Sequence, residues 1–143
     1  MINKFTKYFI FTLFLFLITG CGGSKTFLPN ESFKTDGWEM MCTDVEQSIG
    51  KDGLKLVKVD FKMKNISGES DYQPMARAYG PDGVEVDYMC VCDEIKNDVC
   101  YAHTMVRDNT DVETYVFIAY KGDGEYVIEY LDGTELNIAV NFN

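Results

Sequence analysis

The sequence predicts an all-β domain, an antiparallel sandwich of about seven strands, set behind an N-terminal export segment. Three observations predict it. Apolar and polar residues alternate with period two in several short runs, most strictly where Val57, Val59, Phe61 and Met63 interleave with Lys58, Asp60, Lys62 and Lys64. Turn residues (Gly, Asp, Asn, Pro) recur about every ten residues, the spacing of short strands in a sandwich. The unbroken apolar stretch that would suit a helix lies at the N-terminus, and no convincing helical period follows it.

That stretch, residues 8–18, is interrupted only by Thr12, preceded by Lys4 and Lys7, and followed by Thr19 and Gly20. A charged start, a short apolar core and small residues make a secretory signal. As a helix the core spans about 16 Å, well short of the ~30 Å hydrocarbon slab, so a permanent transmembrane anchor is the weaker reading. The lysines favour a cytoplasmic N-terminus. The segment Ile18-Thr19-Gly20-Cys21 resembles the lipobox of bacterial lipoproteins, departing from its commonest form at Ile18. The resemblance implies diacylglyceryl transfer to the Cys21 sulfur and cleavage after Gly20. Residues 1–20 would then be a signal peptide, and Cys21 a lipid anchor on the extracytoplasmic face of the cell membrane. At about 0.8 kcal/mol per buried methylene, two or more acyl chains anchor stably. Residues 21–36, rich in Gly, Ser, Asn and Asp, read as a flexible tether, and residues 37–143 as the sandwich.

Each element of the sandwich has its own signal. Trp38, Met40 and Cys42 alternate with Glu39, Met41 and Thr43 as a first strand, and Lys51-Asp52-Gly53 supplies a turn. The strict alternation of residues 57–64 is a half-buried strand. Residues 65–71, NISGESD, form a polar turn, and residues 76–79 a short strand ended by Gly80-Pro81-Asp82-Gly83. Val84, Val86, Tyr88, Cys90 and Cys92 continue one extended run; residues 93–98 are a polar loop, residues 99–106 a further strand, and residues 107–111 charged turn material. The last third reads as a meander. Residues 113–121 turn at Gly122-Asp123-Gly124, residues 125–131 return, and Asp132-Gly133 is a two-residue hairpin signal before the alternating run from Leu136 to Phe142.

Composition bounds the function. Without the two leader lysines the chain carries 11 basic and 23 acidic residues, a formal charge of −12. That argues against nucleic acid and against adhesion to anionic lipid. With Cys21 assigned to lipid, Cys42, Cys90, Cys92 and Cys100 remain, and an even number outside the cytoplasm points to disulfides. Three pairings exist and the sequence selects none. Cys90 and Cys92 share a strand face and do not easily bridge each other, which leaves each to reach Cys42 or Cys100; the expectation is Cys92–Cys100, closing the polar loop, with Cys42–Cys90 as the second pair.

The run VKVDFKMKNISGES, with Asn65 closing the strand, resembles the second-strand signature of telokin-like, immunoglobulin-related lipoprotein domains of Gram-positive bacteria. ARAYGPDGVEVD and DVETYVFIAYKGDGEYVIEY, with Phe117 central, resemble the family's later elements. The resemblance covers residues 38–143. It implies an immunoglobulin-like β-sandwich and brings no catalytic residues, the family being largely of unknown function. Cys90, Cys92 and Cys100 depart from its pattern.

No catalytic set stands out. His103 is the sole histidine, and neither G-x-S-x-G nor Cys-x-x-Cys occurs. Cys90, Cys92, Cys100 and His103 have zinc-ligand chemistry but not the usual spacing, and export favours oxidation. They form the alternative reading, a cysteine-based metal or redox site. Asp82-Gly83 and Asp123-Gly124 lack the spacing of a calcium loop and read as turns. The expectation is a non-enzymatic binding or accessory module without metal or cofactor, tied to the membrane by lipid and meeting a protein or small ligand outside the cell. Loops at the sandwich ends would make the contacts, with Asn65, Tyr72, Asp93 and Asp98 as candidates.

Overall fold

The strictly alternating run becomes the central strand of a sheet. The computed structural model describes residues 25–92, 94–96, 99–101 and 105–143, and among them there is no helix. The strands are β1 (Thr26–Phe27), β2 (Ser32–Thr35), β3 (Trp38–Ile49), β4 (Lys55–Asn65), β5 (Ala76–Tyr79), β6 (Glu85–Val86), β7 (Tyr88–Cys92), β8 (Glu94–Lys96), β9 (Val99–Tyr101), β10 (Asp111–Ala119), β11 (Gly124–Tyr130) and β12 (Glu135–Val140). One sheet runs β1-β12-β11-β5-β6 and the other β2-β3-β4-β10-β7, with β8-β9 a separate ribbon. Among the described residues all strand pairings are antiparallel except β1 beside β12, which is parallel.

The two sheets enclose one core. Val57, Val59, Phe61 and Met63 of β4 pack with Trp38 and Met40 of β3 against Tyr126, Ile128, Leu136 and Ile138 of β11 and β12. Lys62, one residue out of phase, is exposed. Each fully buried large apolar side chain contributes about 1.5–3 kcal/mol, which fixes the register of β4, because a one-residue slip would bury its lysines.

Three loops are copies of one device. In Lys51-Asp52-Gly53, Pro81-Asp82-Gly83 and Leu131-Asp132-Gly133 the glycine has φ of 80°, 74° and 82°. Its N–H donates back to Gly50, Gly80 or Tyr130 at 2.9–3.0 Å. The Asp carboxylate accepts the N–H of Leu54, Val84 or Thr134 at 3.2, 3.0 and 2.9 Å. These are three-residue hairpin loops with glycine in the left-handed position. Asp132-Gly133 therefore closes a loop one residue longer than expected, and the Asp82 carboxylate caps its own turn.

Several expectations are corrected. Part of the expected tether, residues 26–35, is sandwich: β1 pairs with β12, β2 pairs with β3, and Phe27 stacks on buried Phe33 at 5.1 Å. The extended run of residues 84–92 is two strands, because the chain crosses between sheets at Asp87; β6 pairs with β5 and β7 with β10. The meander is also broken. β10 and β11 lie in opposite sheets, so Gly122-Asp123-Gly124 is a crossing and not a hairpin. There the Asp123 carboxylate accepts the Phe142 N–H at 3.0 Å and the Tyr120 hydroxyl at 2.6 Å. The Tyr126 hydroxyl accepts the Lys121 N–H at 2.7 Å and donates to the Gly122 carbonyl at 2.9 Å. The sheet pairings of the described residues all fall between Thr26 and Val140, and the two five-stranded sheets share one core.

Candidate binding cavity between the sheets

A cavity of about 300 Å³ lies between the sheets beside the segment that leads into β5. One wall is Met40, Phe61, Met63 and Val116, from β3, β4 and β10; the other is Ile128 and Tyr130 of β11. Period two places all six on the inner faces. The segment joining β4 to β5 leaves the sheets after a single bridge, in which Asp71 and Val106 exchange backbone hydrogen bonds at 2.8 and 2.9 Å. Pro74 has no N–H to give a ladder, and regular pairing resumes only at Ala76. Gln73, Pro74 and Met75 thus border the cavity. Met75 borders it while 74% exposed, which sets it at the mouth. Tyr72, 60% exposed, and Met105, 51% exposed, flank the isolated Asp71–Val106 bridge and do not line the cavity.

No Asp, Glu, Lys or Arg lines the cavity. Its volume lies at the lower end of the ~300–1,000 Å³ range of small-molecule sites.

In the end loop of residues 65–71 the Asn65 side chain proves to be a structural knot, while residues 66–70 are exposed. Asn65 is wholly buried. Its Nδ2 donates to the carbonyls of Glu69 and Val106, both at 2.8 Å. Its Oδ1 accepts the Ser67 N–H at 2.9 Å and the Ser67 hydroxyl at 2.8 Å. Asn65 is corrected from a binding candidate to a staple holding two loops, whereas Tyr72 stands exposed as expected. Asp93, Asp98 and His103 lie outside the described residues, as do Cys21 and the whole segment of residues 1–20.

The cysteines divide. Cys42 is a free, buried thiol, which corrects the Cys42–Cys90 pairing. β3 and β7 stand three strands apart in their sheet, about 14 Å at ~4.8 Å per step, whereas a disulfide spans about 4.4–6.8 Å between Cα atoms. Burial is the main cause that pushes the Cys42 thiol up to about 12, and the Asp60 and Asp44 carboxylates add to it against a hydrogen bond to the Asp44 carbonyl. It is neither a nucleophile nor a metal thiolate at neutral pH. Cys92 is buried and disulfide-bonded. It sits with Leu56 and Phe117 in a small cluster on the other face of the sheet from the main core. A sulfur held in a disulfide is not a zinc ligand, so the four-ligand zinc reading loses a member. Among the described residues no group of three or more His, Cys, Asp or Glu could hold a metal ion. The side chains of Cys90 and Cys100 lie outside the described structure.

The residues that line the cavity were assigned from sequence only to strand faces. Met40 and Met63 were legible as inward-facing. Met75 and Gln73 carried no signal, because the room between two sheets is set by how they pack.

No protein-family model matches the chain, and no curated protein sequence matches it. Two solved structures share its fold. One is an uncharacterized β-sandwich protein from Clostridium difficile 630, with TM-score 0.62 at 12% identity over 82% of this chain and 95% of that one. The other is MPT63, a secreted protein from Mycobacterium tuberculosis, with TM-score 0.59 at 10% identity over 83% of this chain and 99% of that one. At such identities the likeness is one of fold: this chain is an all-β sandwich of the kind both proteins have.

Proposed function

We propose that the chain is an exported, lipid-anchored, non-enzymatic binding module of the telokin-like kind, whose site is the cavity between its sheets. The observation that carries the reading is a cavity of about 300 Å³ lined by no charged side chain, with the exposed Met75 at its mouth. An apolar pocket with few polar groups is the usual form of a small-ligand site. Export is supported by the charged start, the short apolar core and Cys21 after Gly20, and a secreted protein shares the fold. A disulfide at Cys92 suits an oxidising compartment. Backbone proximity of β7 and β9 supports Cys100 as its partner, closing the loop between them.

In this reading the lipid on Cys21 fixes the module at the outer face of the membrane and the cavity takes a ligand there. Metabolic labelling with a palmitate analogue tests the anchor: the wild type is labelled and fractionates with membranes, and Cys21→Ser is unlabelled. Labelling that persists in the variant removes the anchor. Mass spectrometry of gently purified protein tests the site: a non-covalent apolar molecule is retained by the wild type and lost from a variant whose cavity is filled at Ala76.

A further inference from the structure

Resting on the reading of the cavity as a ligand site, we infer that its occupant is a single unbranched alkyl chain of an uncharged amphiphile. Shape is the first argument. The walls are two facing sheets, and sheets pack about 10 Å apart. Side chains project into that gap from both walls, which favours a thin guest over a globular one. The second argument is the lining. Met40 and Met63 on one wall and Met75 at the mouth are unbranched and flexible, and such side chains re-form around a flexible guest.

The third argument is continuity. Apolar surface does not stop at the mouth: Met75 lines the cavity and is itself 74% exposed, so a ligand seated there extends outward along it. The fourth is charge. No ionised side chain lines the cavity, and the chain as a whole is acidic, so nothing there compensates an anionic head group. The chain enters and an uncharged head stays at the mouth beside Met75.

The test is a calorimetric titration of residues 22–143 with 1-hexanol, 1-octanol and 1-decanol, beside the compact alcohol 1-adamantanol. A linear slot tightens binding about fourfold for each methylene added until it is full, and 1-adamantanol binds about tenfold or more weaker than 1-decanol. Ala76→Phe, which fills the slot, removes 1-decanol binding; if that variant does not fold, Val116→Phe blocks the same space from the other wall. Adamantanol binding as tightly as decanol leaves the cavity a ligand site and overturns the alkyl chain. Absence of binding by all four alcohols overturns the ligand site itself. Decanol binding that survives a folded slot-filling variant places the chain elsewhere and also overturns the inference.

Discussion

The side-chain amide of Asn65 donates to the carbonyl of Val106 at 2.8 Å, joining the end of β4 to a loop 41 residues further along the chain. The same amide group holds Glu69 and Ser67. A polar group buried in this way is stabilising only while each of its partners is satisfied. Asn65→Ala is therefore expected to cost about 2–4 kcal/mol, seen as a lower urea midpoint with unchanged slope. Asn65→Asp, which presents a carboxylate to two carbonyls, is expected to cost at least as much at neutral pH. A midpoint within experimental error of the wild type for both would contradict the staple.

Two glycines with positive φ separate backbone strain from steric clash. Gly133 (φ 82°) has open space around a would-be Cβ, while Gly124 (φ 141°) would place one 2.8 Å from Pro81 Cβ. Gly133→Ala is expected to cost about 1–2 kcal/mol from backbone strain alone. Gly124→Ala should cost clearly more, because the crossing between sheets must also shift. Thermal unfolding of the two variants gives the comparison, and equal losses would show that the Pro81 contact is not restrictive.

Acid should loosen the C-terminal end of the sandwich. The Phe142 N–H, then the Tyr120 hydroxyl, hold the Asp123 carboxyl below the usual aspartate range. With the folded-state value lowered, the contribution is fully present above about pH 4 and is lost as pH falls through the lowered value. Asp123→Asn is expected to remove that part of the acid dependence, leaving a shallower fall in stability below about pH 4. An unchanged acid slope in this variant would contradict the clamp.

The Cys42 thiol should be inert while the protein is folded. Burial holds it in the neutral form, and alkylation requires the thiolate. Iodoacetamide at neutral pH, followed by peptide mapping, is expected to label Cys42 only after denaturant is added. Cys42→Ser is expected to cost about 1–3 kcal/mol, because a hydroxyl would replace the thiol in the core. Rapid labelling of Cys42 in native protein would mean that this part of β3 opens readily.

The fold was legible where a local rule and the global structure agree. Residues 57–64 alternate because β4 has one face on the core, and the Asp-Gly pairs mark loops because a left-handed position needs glycine. What failed was sheet membership. Nothing in the composition of residues 84–92 or 113–131 says which of two sheets a strand joins, so Asp87 and Gly122-Asp123-Gly124 read as continuation and hairpin when both are crossings. Residues 26–35 were misread for a related reason: short edge strands with few apolar residues look like linker until their partners, β12 and β3, are known. Asn65 was read as a contact residue because a buried staple and an exposed contact residue have the same one-letter signature. The cavity was illegible because it belongs to the gap between two faces and to neither alone.

The most direct test of the cavity as a ligand site is a carbon–proton spectrum of residues 22–143 with methyl-labelled methionine, recorded as 1-decanol is added. Met40, Met63 and Met75 border the cavity, while Met41 on the neighbouring β3 position pairs with Lys62 and does not. The account predicts progressive, saturable movement of the Met40, Met63 and Met75 methyl signals with that of Met41 fixed. Movement of Met41 alone, or no saturable movement in any of the four, would contradict it.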